Sequence, residues 1–454
     1  FLQGHARFFV RIDGGHDDYL FVSFDPANSN LLYIGNDGGI FNRNESTGAI
    51  SVDVPFLGNS PLQSYGLDIS WSDGGFMVSG TQDNGTLRTL RIARETTNGV
   101  VANWELTYGG DGPDDIAIHP SDPNVVYANS WVGPGNFPRW RITGRGTNFT
   151  ETSNGMAMVW MNSITMNKLN TNQAFTADTA WLYYHDAAAN RWRRATTAAR
   201  DYTIATDGSA RRIAMNVGAG ASVTAYITFW TTASTVKIYE GTPGSMTRRT
   251  VQMPGREPVH TVVADRWDPN TAYAFTGFGP GQPAKIYRTT DRGVRWDSID
   301  GNLPETINYW DIERNPSNPD MLYVSSDIGV FKTRSGGLLW YPLQQGLPVV
   351  GVNQMAYAPS SDGNNRFDTL RVSTFGYGFY ERLLDRDDPV WIDFTPIISR
   401  INFDDSLLRR IIFTGIASSG SSMVATADSG IIARTSNSGR SWEIIEGISK
   451  YRIN

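Results

Sequence analysis

Six aspartates head the sequence as candidates for chemistry: Asp13, Asp17, Asp18, Asp37, Asp83 and Asp111. Two such carboxylates facing a cleft could cleave a glycosidic bond, ~5–5.5 Å apart for retention or ~6.5–9.5 Å for inversion. One of the pair would have to be kept protonated near neutral pH by burial or by a neighbouring charge. Which two could pair is not legible from a linear sequence, because loops bring distant residues together. Against catalysis stands the position of Asp37, Asp83 and Asp111 beside glycine, where a turn aspartate accepts hydrogen bonds from its own backbone.

No other reactive set stands out. The chain has no cysteine, which excludes disulfides, thiolate catalysis and cysteine-bound metal. His5, His16, His119 and His260 lack the spacing of a metal site. No cofactor is expected. Calcium is the one metal the Asp/Asn/Gly turns would admit, at 36–38 and 82–85, although no EF-hand-like spacing exists.

The elements that would position such groups repeat along the chain. Asp268-Pro269 leads to Tyr273 and then to Lys285-Ile286-Tyr287-Arg288-Thr289-Thr290-Asp291-Arg292-Gly293-Val294-Arg295-Trp296. Asn315-Pro316 leads to Tyr323 and then to Gly329-Val330-Phe331-Lys332-Thr333-Arg334-Ser335-Gly336-Gly337-Leu338-Leu339-Trp340. The prolines are 47 apart, the tyrosines 50 and the tryptophans 44. A period of roughly 40–50 residues made of short apolar runs and turn residues predicts an all-β propeller of four-stranded blades. At 454 residues the chain holds about 7–9 blades' worth of sequence.

The segment Thr289–Trp296 resembles an Asp-box, the Ser/Thr-x-Asp-x-Gly-x-Thr-Trp hairpin of sialidase-like, sortilin-like and xyloglucanase-like propellers. The resemblance implies structural roles for Thr289, Asp291, Gly293 and Trp296. It implies the same for Thr333, Ser335, Gly337 and Trp340, and for Thr435, Asn437, Gly439 and Trp442, where Asn437 takes the aspartate's place. Gly35-Asn36-Asp37-Gly38-Gly39, Gly80-Thr81-Gln82-Asp83-Asn84-Gly85 and Gly109-Gly110-Asp111-Gly112 look like successive signatures of exported bacterial Asp-box (BNR-repeat) proteins, mostly of unassigned activity. The resemblance covers about 1–130 and 258–384.

Organisation follows from these marks. Residues 1–384 are expected to form the propeller, with 156–257 either degenerate blades or an inserted β subdomain. Arg191-Trp192 could stand there in the place of a box tryptophan. Thr374-Phe375-Gly376-Tyr377-Gly378 resembles a propeller-closing segment with Tyr377 in place of the usual arginine. Residues 385–389 read as a linker and 390–454 as further blades, the start of a second propeller or a ring closure. The chain opens without Met or a signal peptide and reads as a piece of a longer, exported bacterial or archaeal protein.

Net charge is −6, so no electrostatic case exists for nucleic acid, and no apolar run approaches the ~20 residues that insertion in a membrane needs. Aromatics at 12% suit both blade packing and a surface that contacts protein or carbohydrate. Two function classes remain. One is a binding scaffold whose partner is another protein chain or an extracellular glycan: a secreted or cell-surface part of a larger assembly or, as the resemblance to some Asp-box propellers implies, an intracellular assembly factor. The other, implied by resemblance to two-propeller xyloglucanases, is a glycoside hydrolase. A sialidase would need three convergent arginines, and nothing marks three of them as central.

Overall fold

The structure is a computed structural model. It describes the chain except residues 1–18, 37–38, 49, 52–62, 83–84, 95–99, 109–111, 114, 131–137, 154–155, 157–162, 167–172, 179, 202–209, 218–221, 230–233, 278–281, 359–367, 385–390, 394–412, 420–421, 428–431, 437–442 and 445–454.

The fold is a β-propeller. The described residues form nine four-stranded antiparallel sheets, each built of strands consecutive in sequence. No helix among them is long and apolar enough to cross a membrane. The chain separates into two compact units. Unit 1 joins Phe1–Pro61 to Leu408–Asn454, and unit 2 is Leu62–Leu407. The sequence reading places the first division at 385–389, which lies outside the described residues. The compact units divide the chain differently because the strand Tyr19–Asp25 lies beside Phe413–Ser419. A pairing between the two ends leaves no trace in repeat spacing.

Unit 2 holds seven sheets, blades 1 to 7, at residues 64–108, 116–151, 164–194, 210–252, 259–298, 309–342 and 352–393. The first strand of each blade is innermost, and these seven strands touch their neighbours in chain order. The last, Val352–Ala358, lies against the first, Ser64–Ile69, so the ring is closed. Closure uses no exchanged strand. Leu67 N donates to Gln354 Oε1 at 2.8 Å, Asn353 Nδ2 donates to Ser64 O at 2.6 Å, and Gln63 bridges to Phe375. The stretch 156–257, where blades or a separate subdomain were both open, contains blades 3 and 4, whose inner strands touch those of blades 2 and 5.

The core lies between blades. One apolar cluster joins Tyr226, Val236 and Ile238 of blade 4 to Val262, Ala274 and Trp296 of blade 5. The next joins Phe275, Ile286 and Ile299 of blade 5 to Leu322, Val324 and Trp340 of blade 6. Val223–Phe229 and Thr369–Thr374 are buried along their whole length although polar residues alternate with apolar ones in both, so their polar faces are enclosed by the ring and not solvated.

Candidate functional site

The inner strands of unit 2 surround a cavity of about 110 Å³ on the ring axis. Every blade contributes to its wall, and its charged groups are Asp68, Asp115, Arg266 and Asp311. Inner strands of neighbouring blades diverge and cannot form a continuous ladder, so their facing N–H groups need acceptors from side chains. Asp68 supplies one: its Oδ1 accepts from Ile69 N at 2.9 Å and its Oδ2 from Ile118 N of blade 2 at 2.7 Å. Asp311 repeats this one turn before closure, taking Ile312 N and, from blade 7, Met355 N, both at 2.8 Å. Gln354 makes the same tie from blade 7 to blade 1.

Blades 5 and 6 are crossed by two ion pairs. Arg266 Nη2 lies 2.7 Å from Glu313 Oε1, and Arg314 Nε lies 2.6 Å from Asp265 Oδ2. Burial pushes the Glu313 carboxyl up to about 8 against the pull of Arg266, and Asp311 and Asp265 push the same way. Burial works against the Arg266 charge, yet Glu313, Asp68, Asp311 and Asp265 hold its pKa above the ordinary arginine value. Asp265 is fully engaged: its Oδ1 accepts from Trp267 N and Asp268 N, and its Oδ2 from Tyr273 OH as well as Arg314.

At the end of the axis where the inner strands finish, Trp71 of blade 1 stacks on Trp267 of blade 5, with centroids 4.9 Å apart and planes at 17°. Blades 1 and 5 are not neighbours, so this contact spans the ring. Tyr357 of blade 7 meets Trp267 edge-on at 6.5 Å. Neither indole Nε1 has a hydrogen-bond partner.

The rim carries the hairpins singled out as box-like. Thr289 Oγ1 accepts from Gly293 N at 2.7 Å, and Asp291 Oδ1 accepts from Arg295 N at 2.9 Å. The latter bond, with Thr289 Oγ1–H beside it, holds the Asp291 carboxyl below the usual aspartate value. Gly293 sits at φ 79°, and a Cβ there would meet Ile238 of blade 4 at 2.4 Å. In blade 6, Thr333 Oγ1 accepts from Gly337 N at 3.2 Å and Ser335 Oγ from Leu339 N at 3.0 Å. Trp340 Nε1 reaches back to Ile299 O of blade 5 at 2.8 Å. In the third box-like segment Thr435 lies on a strand, while Asn437, Gly439 and Trp442 lie outside the described residues.

All six aspartates singled out as candidate acids, Asp13, Asp17, Asp18, Asp37, Asp83 and Asp111, also lie outside the described residues. His5 and His16 do too. His119 Nδ1 accepts from Asp122 N, and His260 is buried edge-on to Trp310. No cluster of metal-ligating side chains occurs among the described residues. The axial group of Asp68, Asp265, Arg266, Asp311, Glu313 and Arg314 was not anticipated. Its signal was an acid set between apolar residues in mid-strand, in Leu67-Asp68-Ile69 and Trp310-Asp311-Ile312. A second was an acid–arginine pair ahead of each turn proline, in Asp265-Arg266 and Glu313-Arg314.

No family model matches the sequence, and no curated protein does. Among solved structures, a GH74 enzyme from Niastella koreensis is 16% identical with a TM-score of 0.54, over 86% of this chain. The chain spans 66% of that enzyme's length. YCF48 from Cyanidioschyzon merolae is 10% identical with a TM-score of 0.49, over 73% of this chain and 97% of its own. A chain of the COPII outer coat vertex is 9% identical with a TM-score of 0.49, over 83% of this chain and 98% of its own. These likenesses are of fold.

Proposed function

We propose that the chain is a non-catalytic β-propeller scaffold, secreted or held at a cell surface, that binds protein or glycan within a larger assembly. The observation that carries this reading is the engagement of the axial acids. Both oxygens of Asp68 and of Asp311 accept backbone N–H groups, one from their own strand and one from the next blade. Acids so held are acceptors that complete the ring. We take the box residues of blades 5 and 6 to be architectural on the same ground. Contacts for a partner are available on the hairpin tips, where Val294 is 72% and Leu338 81% exposed beside Arg292, Arg295 and Arg334.

A xyloglucanase-like glycoside hydrolase using two carboxylates is the second reading. It is favoured by Glu313, whose raised pKa beside Asp311 is the environment a general acid requires. A glycan array run alongside reducing-sugar release from xyloglucan and β-glucans separates the two. The scaffold reading expects binding or silence without released sugar. Release that disappears in Glu313→Gln, with the fold intact by circular dichroism, would move the assignment to the enzyme.

A further inference from the structure

The first two strands of the N-terminal blade of unit 1 (residues 19–51) align residue for residue with the first two of blade 5 of unit 2. Asp25 Oδ1 accepts from Ala27 N and Asn28 N, and its Oδ2 from Tyr33 OH at 3.1 Å. Asp265 does the same with Trp267 N, Asp268 N and Tyr273 OH, the last also at 3.1 Å. Val22 pairs with Ile34 and Phe24 with Leu32, as Val262 pairs with Ala274 and Ala264 with Ala272. Val22 therefore stands where Val262 does. Val262 is 1% exposed because blade 4 covers it, whereas Val22 is 53% exposed.

The C-terminal blade (residues 413–444) repeats the contrast on its other face. Met423 pairs with Thr435 as Ala272 pairs with Thr289, so Val424 takes the place of Tyr273. Tyr273 is 1% exposed in the cluster that blade 5 shares with the following blade, and Val424 is 39% exposed. Among the described residues, no blade covers the preceding face of one blade of unit 1 or the following face of the other, while their inner strands lie side by side.

We propose that unit 1 is a two-blade arc of a second ring, and that these two faces are junction surfaces for further four-stranded blades of the same polypeptide. The occupant is a blade because the same positions, in the same hydrogen-bonded setting, are covered by blades in unit 2. It belongs to the same polypeptide because chain order is ring order at every junction of unit 2 except the closing one. The N-terminal blade preceding the C-terminal one keeps that order.

A photo-cross-linking side chain (p-benzoylphenylalanine) at Val22, and separately at Val424, tests this in the full-length protein produced in its host. Each substitution places an apolar side chain on an apolar face, and the circular dichroism and melting temperature of each variant are compared with the parent's before cross-linking. The expected result is an intramolecular product at monomer mass, with mass spectrometry placing the links in four-stranded repeats that flank residues 1–454. Products at dimer mass, links to a different protein, links into residues 62–407, or no cross-link would each overturn the proposal.

Discussion

At the rim of unit 2 most junctions between blades are closed by indoles, and at the axis three of them, 1–2, 6–7 and 7–1, are tied by two carboxylates and an amide. Trp104, Trp192, Trp296, Trp340 and Trp391 all lie on or at the start of a fourth strand, all are buried, and each packs towards the preceding blade. Five of the seven junctions are wedged this way. Blades fan apart with distance from the axis, so the rim has volume to fill and a large ring fills it. Near the axis there is no such volume, only divergent strands with N–H groups that need acceptors. Acidic residues at the centre of the ring are therefore explained by backbone chemistry before any substrate is invoked.

The largest effect expected on this contrast comes from the rim. Trp340→Ala empties a fully buried wedge and leaves Ile299 O without its donor, a loss of about 3–5 kcal/mol that chemical denaturation would register. Asp311→Ala should cost less, about 1–3 kcal/mol, because it strands Met355 N and Ile312 N without removing much volume. An Asp311→Ala loss as large as the tryptophan's would show that the axis, and not the rim, sets the stability of the ring.

Acid–base behaviour sharpens the contrast, since two junctions should respond to pH with opposite sign. Glu313 is raised to about 8, so folding favours its neutral form. Its contribution is complete below the unfolded carboxyl value and is lost as pH climbs towards 8. His185 is lowered to about 4, chiefly by burial and also by the Arg141 charge, and its Nδ1 meets Tyr127 OH at 3.0 Å. Folding favours neutral imidazole, so that contribution is complete above the unfolded histidine value and fades as pH falls towards 4. Melting curves from pH 4 to 8 should show Glu313→Gln removing a decline at the alkaline side and His185→Phe removing one at the acid side. Unchanged profiles in both variants would contradict the assigned environments.

The smallest effect on stability belongs to the hairpin tips. Leu338→Ser should leave stability within about 0.5 kcal/mol, because Leu338 is exposed, while weakening capture of any partner that uses this surface. A binding assay against whichever glycan or protein the intact chain retains would separate the two outcomes.

Much of the architecture was legible because it is carried by local chemistry. The spacing of Pro269, Tyr273 and Trp296 against Pro316, Tyr323 and Trp340 gave the blade, and Thr289 and Gly293 gave the hairpin. Blades 3 and 4 were obscure because their hairpins lack the box. Yet Trp192, flagged from sequence alone, fills the junction between blades 2 and 3 and donates to Thr152 Oγ1 at 3.0 Å. The axial acids were illegible for a different reason. Asp68 and Asp311 accept from strands 50 and 44 residues away, and no local pattern announces such a partner. The division into two units was hidden likewise, resting on contact between strands at opposite ends of the sequence.

The central claim, that axial carboxylates build the ring, is tested most directly by pairing thermal stability with sugar release in Asp68→Ala and Asp311→Ala. The account predicts lower melting temperatures in both variants and no hydrolysis of xyloglucan or β-glucans by parent or variant. A parent that releases sugar, and variants that melt unchanged but release none, would contradict it.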